Sequence, residues 1–79
     1  MTTNFKIDLI EGSFEFITMN RVTLQLFQVY VMHENKRCRF HMQLNDSGVF
    51  YITNKQVCPE IFYGLESTLS DAILKLGKV

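Results

Sequence analysis

The side chains here with an obvious capacity for chemistry are two cysteines, two histidines and a few carboxylates, and spacing decides what each can do. His33 and Cys38 flank the turn-forming run Glu34-Asn35-Lys36-Arg37, so a hairpin there sets them opposite one another and offers two metal ligands. Zinc takes three or four, and no CxxC or HxxxH spacing supplies the rest. His41 lies three residues along the strand from Cys38 and points the other way. Cys58 stands before Pro59 near a candidate helix start, a position that lowers a thiol pKa, but nucleophilic catalysis also needs a base beside the thiol and the position is solitary. Asp8 and Glu15 become neighbours in a hairpin, on a solvent face with no cleft. Gly12, Gly48, Gly64 and Gly77 are scattered rather than gathered into a phosphate-cradling loop. These patterns point away from an enzyme and call for no cofactor and no metal.

A second chemistry is recognition. Arg37, Arg39 and His41 alternate along one strand face, and the expected register puts Tyr30 and Phe50 on neighbouring strands of that face. Basic groups interleaved with stacking rings are what a single-strand nucleic-acid binder uses. The overall charge does not help, because eight basic residues balance eight acidic ones. A neutral chain has no long-range pull on phosphate or on an anionic membrane.

The elements that position these residues follow from periodicity. Phe5, Ile7 and Leu9 alternate with Lys6 and Asp8, Glu11-Gly12 breaks the run, and Phe14 and Phe16 resume it, so a hairpin is expected. With Glu11-Gly12 as the turn, Leu9 opposes Phe14, Ile7 opposes Phe16, and Asp8 unfavourably opposes Glu15. A long apolar strand runs from about Thr23 to His33, with Leu24, Leu26, Tyr30 and Met32 on one face and Phe27, Val29 and Val31 on the other. Cys38, Phe40, Met42 and Leu44 alternate with Arg39, His41 and Gln43. Placing Asn35-Lys36 at the turn pairs Glu34 with Arg37, Val31 with Phe40, Val29 with Met42 and Phe27 with Leu44.

Asn45-Asp46-Ser47-Gly48 then turns the chain into a short strand, Val49 to Thr53. A four-residue loop puts Val49 and Tyr51 on the Phe40 face and Phe50 and Ile52 on the opposite one. After Pro59, which suits a first helical position, Ile61, Leu65, Leu69, Ala72, Ile73 and Leu76 form a helical stripe that carries across Gly64. Ser67 and Ser70 offer caps for a second helix as the alternative.

The expected fold is therefore α+β over residues 1–79 as one small domain, an antiparallel sheet of about five strands with one C-terminal helix packed on one face. A chain of 79 residues, 47% apolar and 13% aromatic, is globular yet thinly stabilised, since one this small buries only about 60% of its surface. The helix covers one face, which leaves Leu24, Leu26, Tyr30, Met32, Phe50 and Ile52 as a candidate interface on the other. Such a patch is covered by a second copy, by a protein partner, or by the first hairpin folding over it. The reading is a non-enzymatic interaction module that self-associates through a sheet face or edge; the alternative is a single-stranded nucleic-acid-binding domain using Tyr30, Arg37, Arg39, His41 and Phe50. The N-terminus reads as no signal peptide, no segment reads as a membrane span, and two cysteines are too few for a secreted framework, so a reducing cytoplasm is expected.

Overall fold

The fold was analysed in a computed structural model that describes residues 1–78. Five strands form one antiparallel sheet in chain order: β1 Phe5–Leu9, β2 Gly12–Thr18, β3 Leu26–His33, β4 Lys36–Leu44 and β5 Phe50–Ile52. Two 3₁₀ segments, Lys55–Val57 and Glu60–Leu65, lead into the helix α1, Glu66–Leu76. The α+β architecture expected from the sequence is present.

Both tight hairpins sit two residues away from the expected pairing. In the first, Ile10-Glu11 form the turn, so Ile7 opposes Phe14, Phe5 opposes Phe16 and Leu9 opposes Gly12. This register replaces the like-charge Asp8–Glu15 pair with Lys6 opposite Glu15 and Asp8 opposite Ser13, whose Oγ donates to Asp8 Oδ1. Phe5 stacks on Phe16 at 4.4 Å between ring centroids. Gly12 takes φ +150°, a value that side chains rarely adopt, and a Cβ there would meet Val31 Cγ2 at 3.4 Å.

In the second hairpin the turn is Glu34-Asn35, not Asn35-Lys36, and both residues have positive φ, 52° and 64°. That is the pattern of a type I′ turn, whose twist matches the strands it joins. Val31 consequently opposes Cys38, Val29 opposes Phe40, Phe27 opposes Met42 and His33 opposes Lys36. Core pairs do not discriminate between the two registers, because either sets apolar against apolar. What the observed one adds is on the outer face, where Arg37 lies 4.2 Å from the Tyr30 ring centroid and 3.4 Å from Glu15 Oε1. A slip of two residues preserves which face each side chain occupies.

The third connection differs by a single residue, and there the faces do change. Its loop has five residues, Asn45 to Val49, and Leu44 opposes Phe50. Asn45 organises it: its N–H donates to Val49 O (2.9 Å), and its Oδ1 accepts from the N–H groups of Ser47 (2.9 Å) and Val49 (3.1 Å). The extra residue turns Phe50 and Ile52 into the core and Tyr51 outward, the reverse of the expected assignment.

The helical stripe is also corrected. Pro59 precedes a 3₁₀ segment rather than an α-helix, and Phe62 N–H donates to Pro59 O at 2.9 Å. Three residues per turn instead of 3.6 shifts the phase, so Phe62 is buried while Ile61 is 62% exposed. In α1 the buried positions are Leu69, Ser70 and Ile73, whereas Leu76 is 47% exposed. At the helix end the backbone comes so close to the sheet that a Cβ on Gly77 would lie 2.9 Å from Phe27 Cζ.

The core lies wholly between one sheet face and this C-terminal segment. It is built from aromatic rows such as Phe5–Phe16–Val29–Phe40, closed by Phe62, Leu69 and Ile73. The first hairpin extends the sheet and does not fold across its outer face.

Glu34 carries a left-handed conformation that costs an ordinary residue roughly 1–2 kcal/mol. Replacing the turn with Asn-Gly, by Glu34→Asn with Asn35→Gly, is expected to raise unfolding free energy by about 1 kcal/mol. The measurement is a shifted urea midpoint at unchanged slope.

Candidate functional site

The residues singled out for metal or nucleophile chemistry are not gathered into one site, although Cys38 and Cys58 come within electrostatic reach of one another. His33 opposes Lys36 rather than Cys38 and packs edge-on against Phe62 at 5.5 Å. Cys38 opposes Val31, and His41 opposes Gln28 on the outer face. Among the described residues no three of His, Cys, Asp and Glu gather in a way that could hold a metal ion. Cys58 is buried, and its thiol pKa is pushed up to about 11 by burial first, then by Cys38 and Glu66, with Lys55 opposing. The expectation of a lowered pKa at a helix start is reversed, because the 3₁₀ segment after Pro59 supplies no α-helical N-terminus and the thiol lies inside.

The candidate interface splits. Phe50 and Ile52 belong to the core, and Leu24 lies in the loop before β3, packed against the core near Gly77. Leu26, Tyr30 and Met32 stay on the outer face, opposite Gln43, Arg39 and Arg37. Across that face runs the row Lys6–Glu15–Tyr30–Arg39, with His41 and Tyr51 further along. The nucleic-acid set thus keeps Tyr30, Arg37, Arg39 and His41 together but loses Phe50, whose place on the outside is taken by Tyr51. Arg37 is already engaged by Tyr30 and Glu15.

A sheet of this kind also has two edges, and they are finished differently. On β5, Thr53 N–H donates to His41 O at 3.0 Å, which sets the alternation so that Phe50 and Ile52 direct their N–H groups away from β4. Both are met by α1: Phe50 N–H donates to Ser70 Oγ at 2.9 Å and Ile52 N–H to Glu66 Oε2 at 2.8 Å. Where β5 ends, Asn54 Oδ1 accepts from His41 N–H at 3.0 Å. Side chains therefore close this edge.

At its N-terminal approach the β1 edge is met by the chain end, where Thr3 N–H donates to Gly77 O at 2.9 Å and Thr2 bridges Lys78, but along Phe5–Leu9 it has no such cover among the described residues. Met19 N–H donates to Leu26 O at 2.9 Å, so odd positions along β2 bond towards β3 and even ones towards β1; Thr18 N–H accordingly reaches Asn4 Oδ1 at 2.9 Å. In β1, Phe5, Ile7 and Leu9 then bond to β2, while Lys6 and Asp8 direct both backbone groups outward. Beneath this edge, on the core side, a groove of ≈390 Å³ separates β1 from the helix. Ile7, Leu9, Ala72 and Leu76 form its apolar wall, with Thr68, Asp71 and Lys75 at the rim. The two edges are not told apart by the sequence alone, because the protection of β5 depends on Ser70, which reads there as a possible helix cap, and on Glu66, which carries no signal of its own.

Comparison with protein-family models, with curated proteins and with solved structures found no match to this chain. No helix among the described residues is long and apolar enough to cross a membrane.

The raised Cys58 pKa has a sign that can be checked. In the unfolded chain the thiol ionises near its ordinary value of 9.0, in the folded chain near about 11, so the unfolded state alone loses the proton between them. Stability contributed by the neutral thiol is whole below about pH 9 and falls as pH rises towards about 11. Chemical denaturation across that range is expected to show a shallower loss for Cys58→Ala than for the parent chain.

Proposed function

We propose that this chain is a non-enzymatic interaction module that associates with a second copy of itself through the β1 edge. The observation that carries this reading is the asymmetry of the sheet: β5 has its outward N–H groups bonded to Ser70 and Glu66, while those of Lys6 and Asp8 in β1 meet no partner among the described residues. An uncovered edge is a template for another strand. The groove of Ile7, Leu9, Ala72 and Leu76 lies directly under that edge, so an added strand also covers apolar surface. The outer face is the weaker choice, since Phe50 and Ile52 are withdrawn into the core and polar partners surround Tyr30 and Met32.

Light scattering is expected to give twice the chain mass. Lys6→Pro removes an N–H that makes no bond within the sheet, so it should shift the mass to monomer while far-UV dichroism and cooperative unfolding persist. Met32→Glu, on the outer face, should leave the mass unchanged. A monomeric parent chain at high concentration overturns the proposal, and loss of the dimer in Met32→Glu moves the interface to the face.

One observation favours a second reading, binding of single-stranded nucleic acid. Tyr30 and Arg39 are direct cross-strand neighbours, and His41 and Tyr51 continue the same face. Stacking rings beside free cations suit a flexible strand. That reading requires salt-sensitive binding of mixed-sequence oligonucleotides, weakened in Arg39→Ala more than in Arg37→Ala, because Glu15 already occupies Arg37.

A further inference from the structure

We infer that the self-association proposed above has one register, in which β1 pairs antiparallel with β1 of a second copy about a twofold axis at Ile7. This rests on the edge reading and adds the geometry that reading leaves open.

Only residues with outward backbone groups can form the new ladder, and in β1 these are Lys6 and Asp8. A closed dimer about a twofold axis uses the same strand from both copies. Centring the axis on Ile7 sets Lys6 against Asp8 of the second copy and Asp8 against Lys6, two opposite-charge pairs whose backbones exchange N–H···O bonds. Moving the axis one residue either way sets Lys6 against Lys6 or Asp8 against Asp8, like charges directly opposed. Any register that offsets the strands by an odd number misaligns donors and acceptors and turns the apolar row of one copy to the polar face of the other. The sequence Lys6-Ile7-Asp8 is thus self-complementary in the Ile7-centred arrangement and repulsive in its two neighbours.

The core face agrees with the same choice. Phe5 of one copy opposes Leu9 of the other, and Ile7 opposes Ile7 at the axis. All three are only partly buried within the chain. The two grooves that Ile7 and Leu9 line with Ala72 and Leu76 then meet across the axis, beneath a sheet continuous from one β5 to the other. On the outer face each Lys6 lies between Glu15 of its own chain and Asp8 of the second, so its charge is matched on both sides.

The test uses two full-length single variants, Lys6→Glu and Asp8→Lys, studied apart and mixed. Alone, each sets like charges opposite one another twice, and dimer affinity is expected to fall by roughly tenfold or more. In the mixture, the carboxylate introduced at position 6 of one chain meets the ammonium introduced at position 8 of the other. The unaltered Asp8 of the first chain meets the unaltered Lys6 of the second, so a heterodimer forms with affinity near that of the parent chain. Thermal unfolding of each variant separates a folding defect from an interface defect, since a carboxylate at position 6 also faces Glu15 within its own chain. Single variants that dimerise as well as the parent, or a mixture that fails to recover, overturn the register while leaving self-association standing. A monomeric parent chain removes the reading on which the register rests.

Discussion

The clasp between α1 and β5 sets the shape of everything else. Ser70 is a buried hydroxyl beside the buried apolar side chains Leu69 and Ile73, and a hydroxyl there without a partner would be a net cost. Its partner is the Phe50 N–H, and Glu66 one turn earlier takes the Ile52 N–H. These two bonds satisfy strand donors that would otherwise lie at an open edge, and they fix the helix over the β5 side of the sheet. Leu69 and Ile73 then descend onto the aromatic rows, and Gly77 lets the helix end approach Phe27 without a Cβ in the way.

Anchoring an eleven-residue helix at one side of a five-stranded sheet has a geometric consequence. An α-helix is about 10–12 Å across with its side chains, whereas five strands at about 4.8 Å spacing are nearly twice as wide. The 3₁₀ segments and Phe62 extend the cover, and Phe14 and Phe16 reach full burial beneath it. Coverage runs out at β1. Phe5, Ile7 and Leu9 remain half-buried, and the groove beside them is the space left by a helix pinned elsewhere.

How much of this was legible in the sequence depends on which symmetry each signal obeys. Alternation defines the strand Phe5–Leu9 and the part of Lys36–Leu44 from Cys38 on, with the faces of their residues, because that pattern has a period of two. The same period makes it blind to slips of two, so both hairpin turns were displaced by one residue without disturbing a single face. A loop longer by one residue carries no such protection: the Asn45 side chain holds a fifth residue in the turn, which exchanges Phe50 and Ile52 with Tyr51 between the faces. The helix stripe failed at Ile61 for a related reason, since Pro59 begins a 3₁₀ segment and periodicity alone assumes 3.6 residues per turn. Of the candidate interface, Leu26, Tyr30 and Met32 kept their expected face; Leu24, Phe50 and Ile52 did not.

A charged residue in the middle of an edge strand is a common guard against unwanted pairing, and Lys6 has that position. The guard acts by presenting an unmatched charge to any strand that approaches. Asp8, two residues on and on the same face, changes what Lys6 does. Against a generic apolar strand both charges still lose water for nothing, so such pairing stays unfavourable. Against an antiparallel copy of the same five residues the charges answer one another, and they do so in the Ile7-centred register alone. In the proposed dimer, protection from indiscriminate pairing and selection of one partner are the same electrostatic feature seen by two different strands, and an edge that works this way would need no cover of the kind Ser70 and Glu66 give to β5.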